Sequence, residues 1–222
     1  TIFDNANSPE PDAMSVDATA HQWWWEFSYP HPLNSDATVI TANELHIPVN
    51  EVVNIKLHSK DVLHSFWIPK IAGKVDMVPN NLNTIWIKAD KIGEYLGQCA
   101  EFCGEAHANM RFRVIAEERS DFDSWLATQA EPAIIPADPL AVEGMSLFEG
   151  SAECWACHTI SGLGKARGTK GPNLSHVASR KHIGAGLLIN NKSNLRRWIE
   201  DPCGVKPGNI MCRDAKVYTD PD

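Results

Sequence analysis

A proline-rich segment divides the chain into two parts with different folding patterns. Residues 131–140 contain Pro132, Pro136 and Pro139, and this composition favours a stiff, extended linker. Strand-like patterns fill residues 37–117, whereas short helical stretches and loops rich in glycine and lysine follow the linker. A length of 222 residues suits two domains. The sequence therefore predicts a first domain over residues 1–130, a linker over 131–140 and a second domain over 141–222.

Apolar and polar residues alternate within the first part. Residues 53–58, 84–88 and 110–114 each alternate with a period of two, which is typical of half-buried strands. Turn signals such as Pro79-Asn80-Asn81 separate these runs, so an antiparallel sandwich or barrel is predicted. A helix is predicted to start at an N-capping Ser120 and to end before the linker. Two further helices are expected at residues 141–148 and 193–200.

Composition and charge restrict the class of protein. Hydrophobic residues make up 43% of the chain, charged residues 22%, and the mean hydropathy is -0.27, which indicates a folded domain. No apolar run reaches the roughly 18 residues of a membrane-spanning helix. The net charge of -8 argues against nucleic acid as a partner. The first 142 residues carry a net charge of -11 and the remainder +3, which favours electrostatic docking between the domains.

Four potential metal ligands occupy one loop of the first part: Cys99, Cys103, His107 and Met110. Thiolate and thioether donors favour copper, zinc or iron–sulfur clusters, and imidazole suits copper and zinc. A weak methionine ligand beside sulfur and imidazole is typical of a copper electron-transfer site. The second cysteine predicts two metals bridged by both thiolates.

A second histidine ligand is expected from a distant strand. His64 is the candidate because it adjoins an apolar run. Two other interpretations remain open. Cys99 and Cys103 could form a zinc half-site or a disulfide, and His64 could be a core histidine with a local partner.

Residues 13–130 resemble the soluble domain of cytochrome c oxidase subunit II, which carries the binuclear CuA centre on an all-β cupredoxin Greek-key barrel. The resemblance rests on the segments at residues 21–25, 62–65, 73–76 and 99–110. It implies that Cys99 and Cys103 bridge two coppers. It also implies a complete ligand set in which the other members are His64, His107, the weakly bound Met110 and the backbone carbonyl of Glu101.

The resemblance implies two further roles. The Glu101 side chain corresponds to a magnesium ligand at the contact with subunit I, and Trp23 corresponds to the tryptophan through which electrons reach the copper centre. Trp24 and Trp25 follow it directly. Since neighbouring strand residues point to opposite faces, at least one of these two is predicted to fill the core or an interface.

The second part contains the sequence Cys-Trp-Ala-Cys-His at residues 154–158. This is the attachment signature of haem c, in which Cys154 and Cys157 bind the haem covalently and His158 is the proximal iron ligand. A thioredoxin-like redox pair is the alternative. That alternative needs a βαβ setting, which the glycine-rich residues 161–174 do not supply.

The candidates for the sixth iron ligand are Met211, His176, His182 and Met145. Met211 is favoured because residues 198–210 resemble the distal loop of class I cytochromes c fused to oxidase subunits. The resemblance implies an all-α second domain with Trp198 and Pro172 in the haem pocket. It also implies that the Pro172 carbonyl accepts the ring proton of His158.

The second part departs from that family near its end. Cys212 follows Met211 where the family has proline, and no apolar helix precedes Asp222, so the C-terminal helix of the family is predicted to be missing. Cys203 and Cys212 flank the distal loop. In the oxidising compartment where haem c is attached they are predicted to form a disulfide, with free or engineered thiols as the alternative.

Together the two resemblances imply the periplasmic part of subunit II of a terminal oxidase, the electron-accepting subunit of the enzyme. Haem c and CuA would carry electrons from a cytochrome c or a quinol-oxidising complex to subunit I, which reduces oxygen to water. In the family, N-terminal membrane anchors precede such a domain, so the chain is interpreted as a soluble fragment of a bacterial membrane protein. The alternatives are a nitric oxide reductase subunit with CuA, a standalone soluble electron carrier, and a copper chaperone or store.

Overall fold

The first domain is a sandwich of two five-stranded sheets. The structure is a computed structural model and describes residues 10–214. One sheet has the strand order β3-β2-β1-β5-β8 and the other β4-β10-β9-β6-β7. The strands are β1 Met14–His21, β2 Trp24–Pro30, β3 Thr38–Ala42, β4 Glu44–Pro48, β5 Val53–Ser59, β6 His64–Trp67, β7 Lys74–Met77, β8 Asn83–Ile87, β9 Gly93–Cys99 and β10 Arg111–Glu117.

The predicted alternation sets the core of this sandwich. Val53, Ile55 and Leu57 on β5 are fully buried, as a period of two requires for one face of a strand. Aromatic rings fill the space between the sheets, with the Phe112 ring centroid 4.9 Å from Trp25 and 5.0 Å from Phe66. Each such ring stabilises the fold by roughly 1.5–3 kcal/mol when it is buried.

Two strand pairs of the sandwich are parallel, a feature that the predicted antiparallel sandwich or barrel did not include. β1 pairs with β5 in parallel, and β10 pairs with β4 in parallel. The period of two reports which face of a strand is buried, but it does not report the direction of the neighbouring strand. The parallel pairs arise because the chain crosses between the sheets, as in Greek-key sandwiches.

The helices are α1 Arg119–Ala130, α2 Pro139–Glu149, α3 Lys192–Glu200, α4 Pro202–Val205 and α5 Ile210–Asp214. The predicted helix after the strands is α1. Ser120 is not its N-cap, because the helix begins one residue earlier and its N-cap position is Glu118, which makes no side-chain capping bond. Phe122 and Leu126, four residues apart, bury one face of α1 against the sandwich.

Capping residues place the helices of the second part. Asp138 accepts hydrogen bonds from the amides of Leu140 and Ala141, so α2 begins at Pro139 and includes the last two residues of the predicted linker. Asn191 caps α3 in the same way. The second part also has a short hairpin of β11 His182–Ile183 and β12 Leu188–Ile189.

The two parts are in direct contact. Glu44 on β4 accepts hydrogen bonds from the amides of Lys181 and His182, at 2.7 and 2.9 Å. Arg113 on β10 reaches the carbonyl oxygen of Gly186 at 3.4 Å. Within residues 10–214, every helix is too short or too polar to cross a membrane. The prediction about the C-terminal end concerns residues 215–222, which lie outside the described part of the chain.

Candidate metal centres

The predicted copper ligands meet at one end of the second sheet. His64 begins β6, Cys99 ends β9, and Met110 directly precedes β10. Backbone hydrogen bonds fix these segments to one another, because the Cys99 amide donates to the Met110 carbonyl and the Ala100 amide donates to the Ser65 carbonyl, each at 3.0 Å. Sheet pairing therefore brings His64 on β6 next to Cys99, which lies 35 positions later in the chain.

The two cysteine sulfur atoms form the middle of the cluster and lie 3.8 Å apart. The ligand atoms of Cys99, Cys103 and His64 all lie within 4.8 Å of one another. These three side chains and Met110 are at most 5% exposed. The other neighbours of the sulfur atoms are His64 Nδ1 at 3.8 Å and the Glu101 carbonyl oxygen at 3.2 Å from Cys99, and His107 Nδ1 at 3.4 Å and Met110 Sδ at 3.8 Å from Cys103.

The cluster has the electrostatics of a metal site. The hydrogen bond with Cys103 and the contact with His64 lower the pKa of the Cys99 thiol to about 3, although burial opposes the shift, whereas the same thiol–thiol bond raises the pKa of Cys103. A thiolate is the form of cysteine that binds a metal. Sulfur and imidazole nitrogen in a dry pocket with a thioether form a donor set that fits copper.

Asp61 orients the His64 ring from behind. Its Oδ1 lies 2.7 Å from His64 Nε2, which directs Nδ1 toward the sulfur atoms. Asp61 is itself held by the backbone amides of Gln22 and Val62, each at 2.7 Å. Burial lowers the pKa of His64, but the bonds to Asp61 and Cys99 outweigh it and leave the pKa above its usual value. A carboxylate behind a ligand histidine is a common arrangement in metal sites.

Trp23 lies directly against the ligand loop. Its indole Nε1 donates to the Cys103 carbonyl at 2.9 Å, and the Gln22 side-chain amide donates to the same oxygen at 2.7 Å. Gly104 permits this contact, because its φ of +112° suits glycine and an added Cβ would lie 2.9 Å from the Trp23 ring. Trp25 lies in the core, whereas Trp24 stacks on His21 with ring centroids 4.0 Å apart.

The second centre surrounds His158. Cys154 and Cys157 lie in a single 3-10 turn and its cap, and both are free thiols. His158 Nδ1 lies 2.8 Å from the Pro172 carbonyl oxygen. Because a carbonyl only accepts, Nδ1 carries the ring proton and Nε2 carries the lone pair. Burial lowers the pKa of His158, which keeps the ring in the neutral form that iron requires.

His176 and His182, two other candidates for the sixth iron ligand, make contacts of their own. His176 Nε2 lies 2.9 Å from the Glu131 carbonyl oxygen, and both ring nitrogens of His182 face carboxylates of the first domain at 3.7 Å. The assignment of Met211 as the sixth ligand stays a prediction. Met211 lies in α5, inside the loop that the disulfide between Cys203 and Cys212 encloses. Trp198 on α3 packs over Gly184.

Sequence reasoning missed three residues at these centres: Asp61, Gln22 and Lys206. Asp61 offered a local signal, since it lies three positions before His64. Gln22 lies 81 residues from the carbonyl that it binds, and Lys206 lies 183 residues from its acceptor. Contacts over such separations have no signature in a single sequence.

A sulfur and imidazole cluster on a cupredoxin sandwich, followed by a domain with the haem c signature, defines a two-centre electron-transfer protein. Two family models support this class. Residues 33–117 match the family described as cytochrome c oxidase subunit II, periplasmic domain, and residues 141–215 match cytochrome c. The chain belongs to the cytochrome c oxidase subunit II family, in a form with a C-terminal cytochrome c domain.

Individual relatives agree with the family models. Cytochrome c oxidase subunit 2 of Alkalihalophilus pseudofirmus is 40% identical over 91% of the chain, and that of Bacillus sp. (strain PS3) is 39% identical over 93%. The chain spans 58% of the length of each of these relatives. The crystal structure of the periplasmic domain of subunit II of cytochrome oxidase of Bradyrhizobium japonicum is 32% identical, with a TM-score of 0.50. That alignment covers 55% of this chain and 95% of the other.

Proposed function

We propose that this chain passes electrons from a donor through haem c to a binuclear copper centre, and from there to subunit I of an oxygen-reducing oxidase at the periplasmic face of a bacterial membrane. The observation that carries the proposal is the meeting of two thiols, two imidazoles and a thioether in one pocket of a chain that also has the haem c signature. When bound, the two groups supply reversible one-electron chemistry.

The chain's own residues would hold these groups in distinct ways. Cys99 and Cys103 would hold both coppers, His64 and His107 would each supply one ligand through Nδ1, and Met110 would be a weak ligand. The carbonyl of Glu101 would complete the set. In the second domain, Cys154 and Cys157 would hold the haem covalently, while His158 and Met211 would hold its iron. His and Met ligation raises the haem potential.

Burial of the copper ligands supports electron transfer rather than bond chemistry. Burial of Cys99, Cys103, His64 and Met110 leaves little access for a substrate, and ligands fixed by the sheet move little when the charge of the metals changes. A copper chaperone needs an exposed loop that releases its ion, which the buried pair of thiols does not provide.

The same proposal assigns partners and a further metal. Subunit I docks on the ligand-loop end of the sandwich, where the half-buried Glu101 side chain binds magnesium at the contact. The donor is a cytochrome c or a quinol-oxidising complex, and N-terminal helices of the whole protein anchor it in the membrane. Both named relatives are cytochrome c oxidase subunits, which favours the oxidase over a nitric oxide reductase.

The first test is an absorption spectrum from the visible to the near infrared, with copper and iron counted on the same sample. We expect two coppers for each iron, a near-infrared band that disappears on reduction, and a sulfur-to-iron band that is lost in Met211→Ala. One copper with an intense blue band, or zinc in its place, would exclude a binuclear centre at Cys99 and Cys103. Copurification with subunit I separates an oxidase subunit from a standalone carrier.

A further inference from the structure

The loop that precedes Met211 reaches across to the copper domain. Lys206 Nζ donates to the backbone carbonyl of Trp23 at 2.5 Å, and Trp23 in turn donates through its indole to the Cys103 carbonyl. A chain of two hydrogen bonds therefore joins the predicted haem-side loop to a predicted copper ligand. The two residues at its ends, Lys206 and Cys103, belong to different domains.

Lys206 is buried to an unusual degree for a lysine. Its relative exposure is 3%, and burial lowers the pKa of its amine to about 7. Lysine is almost never fully buried unless its amine is paired. A buried ammonium with a backbone carbonyl as acceptor costs stability relative to an apolar side chain of the same size. The buried amine of Lys206 therefore lowers the stability of the fold. An apolar residue that only filled space would not have this effect.

The rest of the loop is built to bring Lys206 to this place. Its own amide donates to the Pro202 carbonyl, and Asn209 donates through its side chain to the carbonyls of Pro202 and Lys206. Gly208, with a φ of +80°, lies so close to the copper domain that an added Cβ would be 2.7 Å from Glu105. The loop and the copper domain therefore touch at two independent points, Lys206 with Trp23 and Gly208 with Glu105.

We propose that Lys206 is a positioning residue for electron transfer between the two domains, which it holds in register by its hydrogen bond to Trp23. The proposal rests on the proposed function. In the step concerned, one electron leaves the reduced haem iron and is accepted by the oxidised copper pair. No bond forms or breaks, and no proton is transferred. Lys206 touches neither metal; it fixes the loop of Met211 against the tryptophan that contacts the ligand loop.

The test uses the 222-residue chain with haem attached and copper bound, in which Lys206→Met removes the amine and keeps most of the side-chain volume. Losing a hydrogen bond from a charged donor lowers the equilibrium constant for docking by about tenfold. We expect faster hydrogen exchange in residues 202–212 and a rate of haem-to-copper transfer after flash reduction of the haem that is lower by a similar factor. The copper absorption spectrum should not change.

A third measurement separates a positioning role from simple packing. The Lys206 ammonium interacts electrostatically with Cys103, and a nearby positive charge favours the reduced copper centre. Lys206→Met is therefore expected to lower the midpoint potential of the copper centre, measured below neutral pH. Lys192→Met is the matched control, because Lys192 is exposed at the start of α3, and it should leave exchange, rate and potential unchanged.

The outcomes are distinguishable from a failure of the proposed function. If the unaltered chain binds copper and haem but Lys206→Met transfers electrons at the same rate, or exchanges hydrogen at the same rate, the positioning role is wrong and the function stands. If the unaltered chain binds no copper, the proposed function itself is wrong. Should Lys206→Met fail to fold, Lys206→Ala removes the same amine without placing a long apolar side chain in the interface, and wild-type exchange and transfer in that variant would overturn the proposal.

Discussion

The Asp61 carboxylate determines the direction in which His64 presents its ring, although Asp61 lies outside the cysteine cluster. Its Oδ1 lies 2.7 Å from His64 Nε2 and its Oδ2 accepts the Gln22 amide. The carboxylate therefore links the histidine of one sheet to the turn that carries Trp23. Without it, the ring could rotate about its side-chain bonds and Nδ1 would leave the cysteine pair.

Replacement of Asp61 by alanine should weaken copper binding without removing a ligand. Loss of a carboxylate behind a metal-bound histidine typically lowers metal affinity by about 10–100-fold. The measurement is a competition titration of the reduced, copper-free chain with a chelator of known affinity. Asp90→Ala is the control, since Asp90 is exposed. Equal affinities for the two variants would show that Asp61 does not position His64.

The metal ligands could be predicted from the sequence where they lie close together in the chain. Cys99, Cys103, His107 and Met110 form a local motif, and the structure brings their donor atoms together. His64 was predicted because it adjoins an apolar run, the family resemblance agreed with that choice, and β6 places it beside the other ligands. The hydrogen bonds of Asp61 to Gln22 and of Lys206 to Trp23 were not predictable, because they join residues 39 and 183 positions apart.

At the scale of secondary structure, β9 carries the copper loop on a tightly packed strand. Gly97 lies opposite Phe112 on β10, and an added Cβ at Gly97 would be 2.2 Å from the Phe112 ring. Phe112 is fully buried among Trp25, Phe27 and Phe66 and has no room to retreat. Glycine within a strand usually lowers stability, but at position 97 the packing of Phe112 requires it.

Gly97→Ala should destabilise the first domain by about 1–3 kcal/mol, the usual cost of overpacking a core. Gly73→Ala is the matched control because nothing lies within 4 Å of a Cβ added there, and it should change the free energy of unfolding by less than about 0.5 kcal/mol. Denaturant unfolding followed by tryptophan fluorescence measures both. If the two variants are equally stable, the close approach of Gly97 and Phe112 is wrong.

Helix α2 depends on its first turn. Asp138 accepts the amides of Leu140 and Ala141 at 3.1 Å each, so Asp138→Ala should cost the second domain about 1 kcal/mol. Haem absorption during denaturant unfolding reports this domain. Glu143→Ala, at an exposed position of the same helix, is the control. A loss in the control as large as in Asp138→Ala would contradict a capping role.

Over the whole molecule, a cluster of ionisable groups fastens the cytochrome domain to β4 of the sandwich. His46 Nδ1 lies 2.8 Å from Glu117, its ring stacks on Trp125 at 3.9 Å, and Glu44 receives the amides of Lys181 and His182. The opposite net charges of the two halves were predicted to favour docking. That expectation stays a prediction, because the amides of Lys181 and His182 that bind Glu44 carry no net charge.

The cluster makes stability depend on pH. Burial lowers the pKa of His46, but the bonds to Glu117 and Glu44 outweigh it and raise the pKa. Burial raises the pKa of Glu44, but the bond with His46 and the amides of His182 and Lys181 lower it overall. The His46 contribution is thus lost as pH rises through its raised pKa, and the Glu44 contribution is lost as pH falls through its lowered pKa.

We therefore expect the free energy of unfolding to be greatest between the lowered pKa of Glu44 and the raised pKa of His46, and to decline above neutral pH. Nearby charges that also face the cluster are Arg180 and His182 from the second domain and Glu94 from β9. Denaturant unfolding at a series of pH values measures the profile. His46→Gln should flatten its alkaline side, and an unchanged alkaline slope in that variant would assign the dependence to another group.

The structure holds two cysteine pairs in different oxidation states. Cys203 and Cys212 are joined to each other, whereas Cys99 and Cys103 are free thiols with sulfur atoms 3.8 Å apart. Under the proposed function, Cys99 and Cys103 must stay reduced to bind copper, although the compartment in which haem c is attached favours disulfides. Copper loading therefore requires one cysteine pair to stay open while another pair in the same chain stays closed.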